Sequence, residues 1–351
     1  MDILITGGNG FLGHHLIAAL QERGDSVRVL ALPTEDATWL ELRGVTVFRG
    51  DILEPDTLIA PLEGVDGVFH LAAMLGAWGT FDRYHAVNVT GTENVCRSAL
   101  AAGASRLVHV SSAMVYDMAQ RRPPTEEDLL APLDEPYSLT KAQGDMMVQS
   151  LIREEQLPAV ILRPGTLIGP GDRLNFGRMA DRVRARKGIV IGRGHNALPL
   201  FSITDMVQGL LLALDREQAR GGVYNIGTDQ PLTQARYLAL IAEELGVPAP
   251  RLHAPYAALY AAAGLAERVA TVSNGRFPPF LTRHGVKLYG ADNRISIDKA
   301  RRELDYVPLV PVAEAVRAAC DWYRHPDGSR PTPARAGVLT ATAAEEASAS
   351  W

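Results

Sequence analysis

Six short apolar runs recur along the first half of this 351-residue chain: DILITG from Asp2, VRVLAL from Val27, VTVFRGD from Val45, GVFHLAA from Gly67, RLVHVSS from Arg106 and AVILRP from Ala159. Stretches of helical period separate them. Continuous apolar runs suit strands buried on both faces, and such strands belong to parallel sheets, whose neighbours are joined by crossover helices rather than hairpins. The alternation predicts an α/β protein built on a doubly wound parallel sheet. After Pro164 the pattern loosens into Gly- and Pro-punctuated pieces such as LIGPGDRLNFG and GRGHNALPLFSITD, with the helices MVQGLLLAL and QARYLALIAEELG among them. We expect residues 1–165 to form the sheet domain with returning elements around 200–228, residues 166–326 to form mainly a smaller substrate-binding lobe, and 327–351 to be a flexible tail.

The first run leads straight into TGGNGFLG, Thr6 to Gly13, and then into a helix carrying Leu16, Ile17 and Leu20. A glycine-rich turn between a strand and a helix lets backbone approach a pyrophosphate, while the helix N-terminus offers free N–H groups and partial positive charge. Glycines alone also serve ordinary tight turns, but in this context Gly7, Gly10 and Gly13 point to dinucleotide binding in a Rossmann fold.

Composition narrows the remaining classes. With 47% hydrophobic and 21% charged residues the chain can bury a large core, and a net charge of -5 gives no basic field for a nucleic acid. Cys96 and Cys320 are too few for a disulfide framework or a zinc site and read as small buried side chains, so no metal is expected. The opening MDILITGG runs directly into a strand pattern and no stretch has membrane-spanning length, which suggests a cytoplasmic protein with no membrane span.

Tyr137 and Lys141 lie four residues apart in EPYSLTK. A phenol with a pKa of about 10 is ionised in roughly one molecule per thousand at neutral pH. If Pro136 starts a helix, the two side chains share a face. Half-populating the phenolate near neutrality takes about 4 kcal/mol, and a unit charge about 4 Å away at an effective dielectric of about 20 supplies that order of energy. Alone, the pair is better read as part of a solvated helix; its surroundings decide.

Those surroundings are specific. The glycine turn, HLAA (His70–Ala73), NVTGTENV (Asn88–Val95), VSSAMVY (Val110–Tyr116), YSLTK and RPGTLIGPGD (Arg163–Asp172) occur in an order that resembles an extended short-chain dehydrogenase/reductase, over residues 1 to about 325. The resemblance implies Ser112, Tyr137 and Lys141 as the catalytic set, with Ser111 the adjacent alternative and strand-end capping the plain explanation for both serines. Tyr137 would exchange a proton with a substrate oxygen that Ser112 hydrogen-bonds, and Lys141 would keep the tyrosine acidic and hold the nicotinamide ribose. The same resemblance assigns Gly7, Gly10, Phe11, Leu12, Gly13, Asp51, Ile52, Leu71, Ala72, Ala73, Asn88, Ser111, Tyr137, Lys141, Pro164, Gly165 and Thr166 to the cofactor. Core packing would equally explain residues 71–73, and Asn88 could simply start a helix. A homodimer is common in the resembling family and is expected here.

The cofactor is NAD or NADP. The second run ends in Ala31, where NAD-selective members usually carry an acid, and Leu32 and Pro33 follow where an arginine would meet a 2′-phosphate. Glu35 and Asp36 would repel that phosphate and tilt the reading toward NAD.

For the small-molecule substrate, GAWG (Gly76–Gly79), PPFLTRHGVKLYG (Pro278–Gly290) and KARRELDYVP (Lys299–Pro308) look most like the 3β-hydroxysteroid/sterol dehydrogenase and 2-alkyl-3-oxoalkanoate reductase branch, with Asp305 replacing a frequent glycine. Met74, Leu75, Trp78 and Phe81 would favour an apolar alcohol or ketone, or merely cover the sheet edge, and Met74, Trp78 and Ser112 are the candidate substrate contacts. Arg163, Arg173, Arg178 and Arg193 keep a phosphate-bearing substrate open, as for a nucleotide-sugar epimerase/dehydratase. A non-catalytic NAD(P)-binding protein is the third reading. In APYAALYAAAGLAERVA (Ala254–Ala270), a helix expected to line or lid the lobe, Ala257, Ala258, Ala261 and Ala262 suggest close helix packing.

Overall fold

The computed structural model describes residues 1–76, 79–117, 122–273, 279 and 281–325. Seven parallel strands form the main sheet: β1 (Asp2–Thr6), β2 (Ser26–Ala31), β3 (Thr46–Arg49), β4 (Gly67–His70), β5 (Arg106–Val110), β6 (Ala159–Pro164) and, much later, β10 (Val223–Ile226). Their spatial order is β10-β6-β5-β4-β1-β2-β3. The chain thus winds outward from β1 in both directions, and the switch lies between β1 and β4, where a crevice opens at the carboxyl ends of the strands.

Alternate residues of each strand feed two different cores. Ile3, Ile5, Val29, Val108, Val160 and Leu162 pack against α1 (Phe11–Arg23) and α8 (Ile203–Asp215). Leu4, Leu30, Val68, Leu107 and Ile161 pack on the other side against α3 (Asp56–Leu62), α5 (Thr92–Ala101) and α6 (Pro136–Glu155). Two-sided burial is why the strands carry unbroken apolar runs. The short helices α2 (Thr38–Leu42) and α4 (Phe81–His85) complete this part of the chain.

A third core joins α7 (Arg178–Arg184), α9 (Gln234–Glu244) and α13 (Val312–Arg324) around Phe176, Tyr237, Ile241 and Val316. Two small parallel pairs frame it: β7 (Thr166–Ile168) with β9 (Leu200–Ser202), and β8 (Ile189–Ile191) with β11 (Leu252–Ala254). Cys96 and Cys320 are free, buried thiols on α5 and α13. The remaining elements are α10 (Tyr256–Val272), α11 (Arg283–Gly290) and α12 (Asp298–Leu304).

The alanines of α10 require a correction. Ala257, Ala258, Ala261 and Ala262 are exposed; the helix packs through Ala263 and Ala270, with Tyr256, Leu259 and Tyr260 partly buried. Its contact stripe therefore falls on the opposite side from the alanine-rich one. No helix among the described residues is long and apolar enough to cross a membrane. Trp78 and the segment 327–351 lie outside the described residues.

Gly13 shows how tightly the first turn is built. A Cβ there would sit 2.3 Å from the Gly8 carbonyl oxygen, with backbone rather than a yielding side chain in the way. Gly13→Ala should lower unfolding stability by about 1–3 kcal/mol, read from the midpoint of urea denaturation at an unchanged slope.

Candidate active site

The turn after β1 presents backbone. Gly7 adopts φ +72°, a left-handed conformation in which a Cβ would also strike the Ala72 amide nitrogen at 2.7 Å. Gly10 N–H closes the turn on the Gly7 carbonyl at 3.1 Å and stands at the N-cap of α1, with no side chain capping the helix. Phe11, Leu12 and Gly13 then supply the first helical amides. Leu71, Ala72 and Ala73 run alongside, with Leu71 N–H on the Thr6 carbonyl at 3.0 Å. A narrow backbone cradle with uncapped helical N–H groups fits a dinucleotide pyrophosphate. Burial lowers the pKa of His70 to about 3, and its ring nitrogens bridge the Thr6 hydroxyl at 2.7 Å and the Thr92 hydroxyl at 3.0 Å.

After β2, the acids that the sequence reading set against a 2′-phosphate are engaged locally. The Glu35 carboxylate accepts from Leu32 N–H at 3.3 Å, and Asp36 accepts from the Thr38 amide and hydroxyl at 3.0 and 2.6 Å. A cation is also present. Arg49 pairs with Ala31 across β2 and β3, donates to the Leu32 and Glu35 carbonyls at 3.2 and 2.6 Å, and lies 3.6 Å from Glu41. Looking only at residues after Ala31 missed it, because the register of the sheet supplies it. Asp51 and Ile52 follow β3: Asp51 Oδ1 accepts from Leu53 N–H at 2.9 Å, and the Ile52 carbonyl accepts from Asn94 at 2.9 Å.

Ser112, Tyr137 and Lys141 converge. Ser112 caps the turn after β5, accepting from Met114 N–H at 3.1 Å, and its side chain lies near enough to Tyr137 to favour the phenolate. Ser111 is buried too, but its hydroxyl has no partner among the described residues. Pro136 does begin α6, so Tyr137 is its second residue and Lys141 lies one turn on. The Lys141 ammonium donates to the Val110 carbonyl at 2.7 Å.

Electrostatics here depart from the sequence reading. Burial pushes Tyr137 above the ordinary phenol value, with the nearby Ser112 side chain opposing the rise and Glu135 and Tyr84 adding to it. Burial also lowers Lys141 to about 8, against the pull of Asp145. The depression expected from the lysine is not what sets the direction; desolvation of the phenolate is the largest effect. The resting phenol keeps its proton.

Asn88 holds the adjoining loop. Its carboxamide accepts from Met74 N–H at 2.8 Å and donates to the Met74 carbonyl at 3.2 Å and the Thr140 hydroxyl at 3.1 Å, so the strand-four loop is tied to α6. Pro164 ends β6. Gly165 N–H reaches the Ile226 carbonyl at 2.9 Å, and Thr166 N–H reaches the Pro199 carbonyl at 2.7 Å. Leu75 and Phe81 are exposed.

Beneath the trio lies a buried ion pair. Arg163 forms two hydrogen bonds to Asp145, at 2.8 and 2.7 Å, and a third to the Tyr116 hydroxyl at 2.6 Å; Tyr116 donates to Asn225 at 2.9 Å. Arg163 is thereby withdrawn from any phosphate, and Arg173 lies over the Trp322 ring at 5.6 Å. The arginine cluster raised by the sequence does not assemble from these two. Three residues that the sequence reading passed over also shape the site: Asp145, one turn beyond Lys141; Glu135, the N-cap of α6; and His284 on α11, which contacts Glu135 and Tyr137. Spacing betrayed the first two, but nothing in sequence placed His284.

Comparison with known proteins defines the class. The profile described as the NAD dependent epimerase/dehydratase family matches residues 3–227. The chain belongs to this family, whose name carries its dinucleotide. It is 32% identical to a 2-alkyl-3-oxoalkanoate reductase of Stenotrophomonas maltophilia, over 90% of this chain and 98% of that protein. It is 30% identical to a mouse sterol-4-alpha-carboxylate 3-dehydrogenase, decarboxylating, over 92% and 90% respectively. Its structure is similar to that of a UDP-glucuronic acid 4-epimerase from Bacillus cereus in complex with NAD, with a TM-score of 0.73 and 25% identity, covering 93% of this chain and 99% of that one.

Removing one member of the buried ion pair should be costly because the other charge stays behind. Arg163→Met is expected to lose about 3–5 kcal/mol of unfolding free energy, and adding Asp145→Leu should recover part of that loss in the same urea titration.

Proposed function

We propose that the protein is an NAD(P)-dependent oxidoreductase interconverting a ketone and a secondary alcohol on a small, largely apolar substrate, with Ser112, Tyr137 and Lys141 as the catalytic residues. The observation that carries this reading is that Tyr137 packs against the turn that follows Ser112, while Lys141, one helical turn on, donates to the Val110 carbonyl at the carboxyl end of β5. A protein that only bound the dinucleotide would have no use for that arrangement.

When bound, the nicotinamide supplies or accepts the hydride. In the reducing direction Tyr137 gives its proton to the carbonyl oxygen, Ser112 donates a hydrogen bond to the same oxygen, and the Lys141 cation stabilises the phenolate left behind. The cradle from Gly7 to Gly13, the edge from Leu71 to Ala73, Asp51 with Ile52, and Pro164 to Thr166 would hold the cofactor. Glu35 and Asp36 favour NAD, since a 2′-phosphate would have to draw Arg49 away from two carbonyls and Glu41.

The named relatives act on oxo acids and sterols, which supports an apolar 3-oxo acid or a sterol-like ketone here, with Met74 and Ser112 toward the substrate. A panel of 2-alkyl-3-oxoalkanoates, 3-oxosteroids and UDP-glucuronic acid with NADH or NADPH, followed by oxidation of the reduced nicotinamide, tests the assignment. Epimerisation of the UDP-sugar without net cofactor change would replace it with the epimerase reading. Tyr137→Phe should lower kcat by about 10²–10⁴-fold while leaving the dinucleotide dissociation constant, measured by fluorescence titration, unchanged.

The lowered lysine gives a pH signature. Below about 8 Lys141 is cationic and above it neutral, and kcat/KM for a substrate reports groups of the free enzyme. With the dinucleotide as the varied substrate, kcat/KM should fall as pH rises through that range. Lys141→Met should be low throughout and lack this limb.

A further inference from the structure

The second lobe reaches the catalytic wall through one face of α11. His284, Lys287 and Leu288, spaced three and four residues apart, lie along it. Leu288 belongs to the apolar cluster of Ala113, Met114, Val115, Tyr116 and Ala142 against which Tyr137 packs, and Lys287 donates to Asp117 at 3.2 Å, just beyond the Ser112 turn. His284 makes two contacts at once. Its Nδ1 is 3.1 Å from Glu135 Oε1, and its ring stands edge-on to Tyr137, with centroids 5.9 Å apart at 84°.

Glu135 is the other half of the device. Its carboxylate accepts from Tyr137 N–H at 2.9 Å and Ser138 N–H at 2.7 Å, which caps α6 where the tyrosine sits. Burial would raise its pKa, but the contacts from His284 and Ser138 outweigh burial and hold it below the usual carboxylate range. An ionised carboxylate only accepts, so the proton in this contact belongs to Nδ1 of His284. The histidine is itself anchored: Thr282 caps α11 by accepting from Gly285 N–H at 3.1 Å, and Glu267 of α10 takes the Arg283 amide at 2.7 Å and its Nε at 2.6 Å.

We propose that His284 is a positioning residue for Tyr137: from the second lobe it holds the capping carboxylate of Glu135 and so fixes the first turn of α6, which keeps the tyrosine hydroxyl beside Ser112. The inference rests on the Ser112–Tyr137–Lys141 reading. First helical turns fray unless tied, and a small displacement of a reacting group costs rate without weakening binding.

The test uses the full chain with the 2-alkyl-3-oxoalkanoate or the 3-oxosteroid, whichever the panel favours. His284→Phe keeps a ring against Tyr137 and loses the hydrogen bond, and should lower kcat by about 10- to 100-fold with KM and dinucleotide affinity unchanged. His284→Asn, which returns an N–H near the Nδ1 position, should restore most of kcat. Glu135→Gln should match His284→Phe, and the double variant should lose no more than either alone. Wild-type kcat in His284→Phe, equal losses in the Asn and Phe variants, or a loss mirrored in dinucleotide affinity would overturn the proposal. If His284→Phe fails to fold by circular dichroism, His284→Asn and Glu135→Gln decide by the same criteria: near-wild-type kcat in the first and a loss in the second. Tyr137→Phe run alongside separates the two layers, since retained turnover there defeats the catalytic reading itself, whereas its loss beside an unaffected His284→Phe defeats only the positioning role.

Discussion

Seven strands running in one direction leave all their carboxyl ends on one edge, and the glycine turn and the residues proposed for the site are collected there. Gly7 leaves β1, Ala72 leaves β4, Ser112 leaves β5 and Gly165 leaves β6, side by side across the point where the strand order turns back on itself. Helices cannot fill that crevice, because the crossovers on either side of it lead to opposite faces of the sheet. The glycines at the crevice then let backbone approach backbone: the turn after β1 packs against the loop after β4 with no room for a methyl group at Gly7.

The site is also defined by how buried its charged groups are. Desolvation sets the direction for three groups: it raises Tyr137 and lowers Lys141 and His70, whereas at Glu135 the contacts from His284 and Ser138 outweigh it. Asp145, on the face of α6 that carries Lys141, is balanced by Arg163 through two hydrogen bonds, which lets a carboxylate stand close to the lysine without an unpaired charge in the core. The phenol accordingly holds its proton more tightly than a free tyrosine, for reasons of surroundings that no local spacing describes.

Much of the architecture was legible because it rests on local rules. Unbroken apolar runs announced strands covered on both sides, Pro136 announced the start of α6, and TGGNGFLG announced a strand-turn-helix cradle. The failures have a common cause. The alanines of α10 were assigned to the wrong side because alanine tolerates exposure and contact equally, so composition does not reveal which stripe meets a neighbour. Arg163 was counted among possible phosphate ligands because nothing in RPGTLIG says that its guanidinium turns inward onto Asp145. Arg49 was overlooked because its proximity to Ala31 is a matter of strand register.

By itself the chain determined the strands, the helices, the glycine cradle and the Tyr–Lys spacing, since each is set by interactions within a few residues. Only the tertiary structure decided which serine meets the tyrosine, which arginine is buried, where Arg49 lies and that His284 comes to rest on Glu135. These pairings join residues far apart in sequence, and their energies depend on exclusion of water that arises only once the layers have packed.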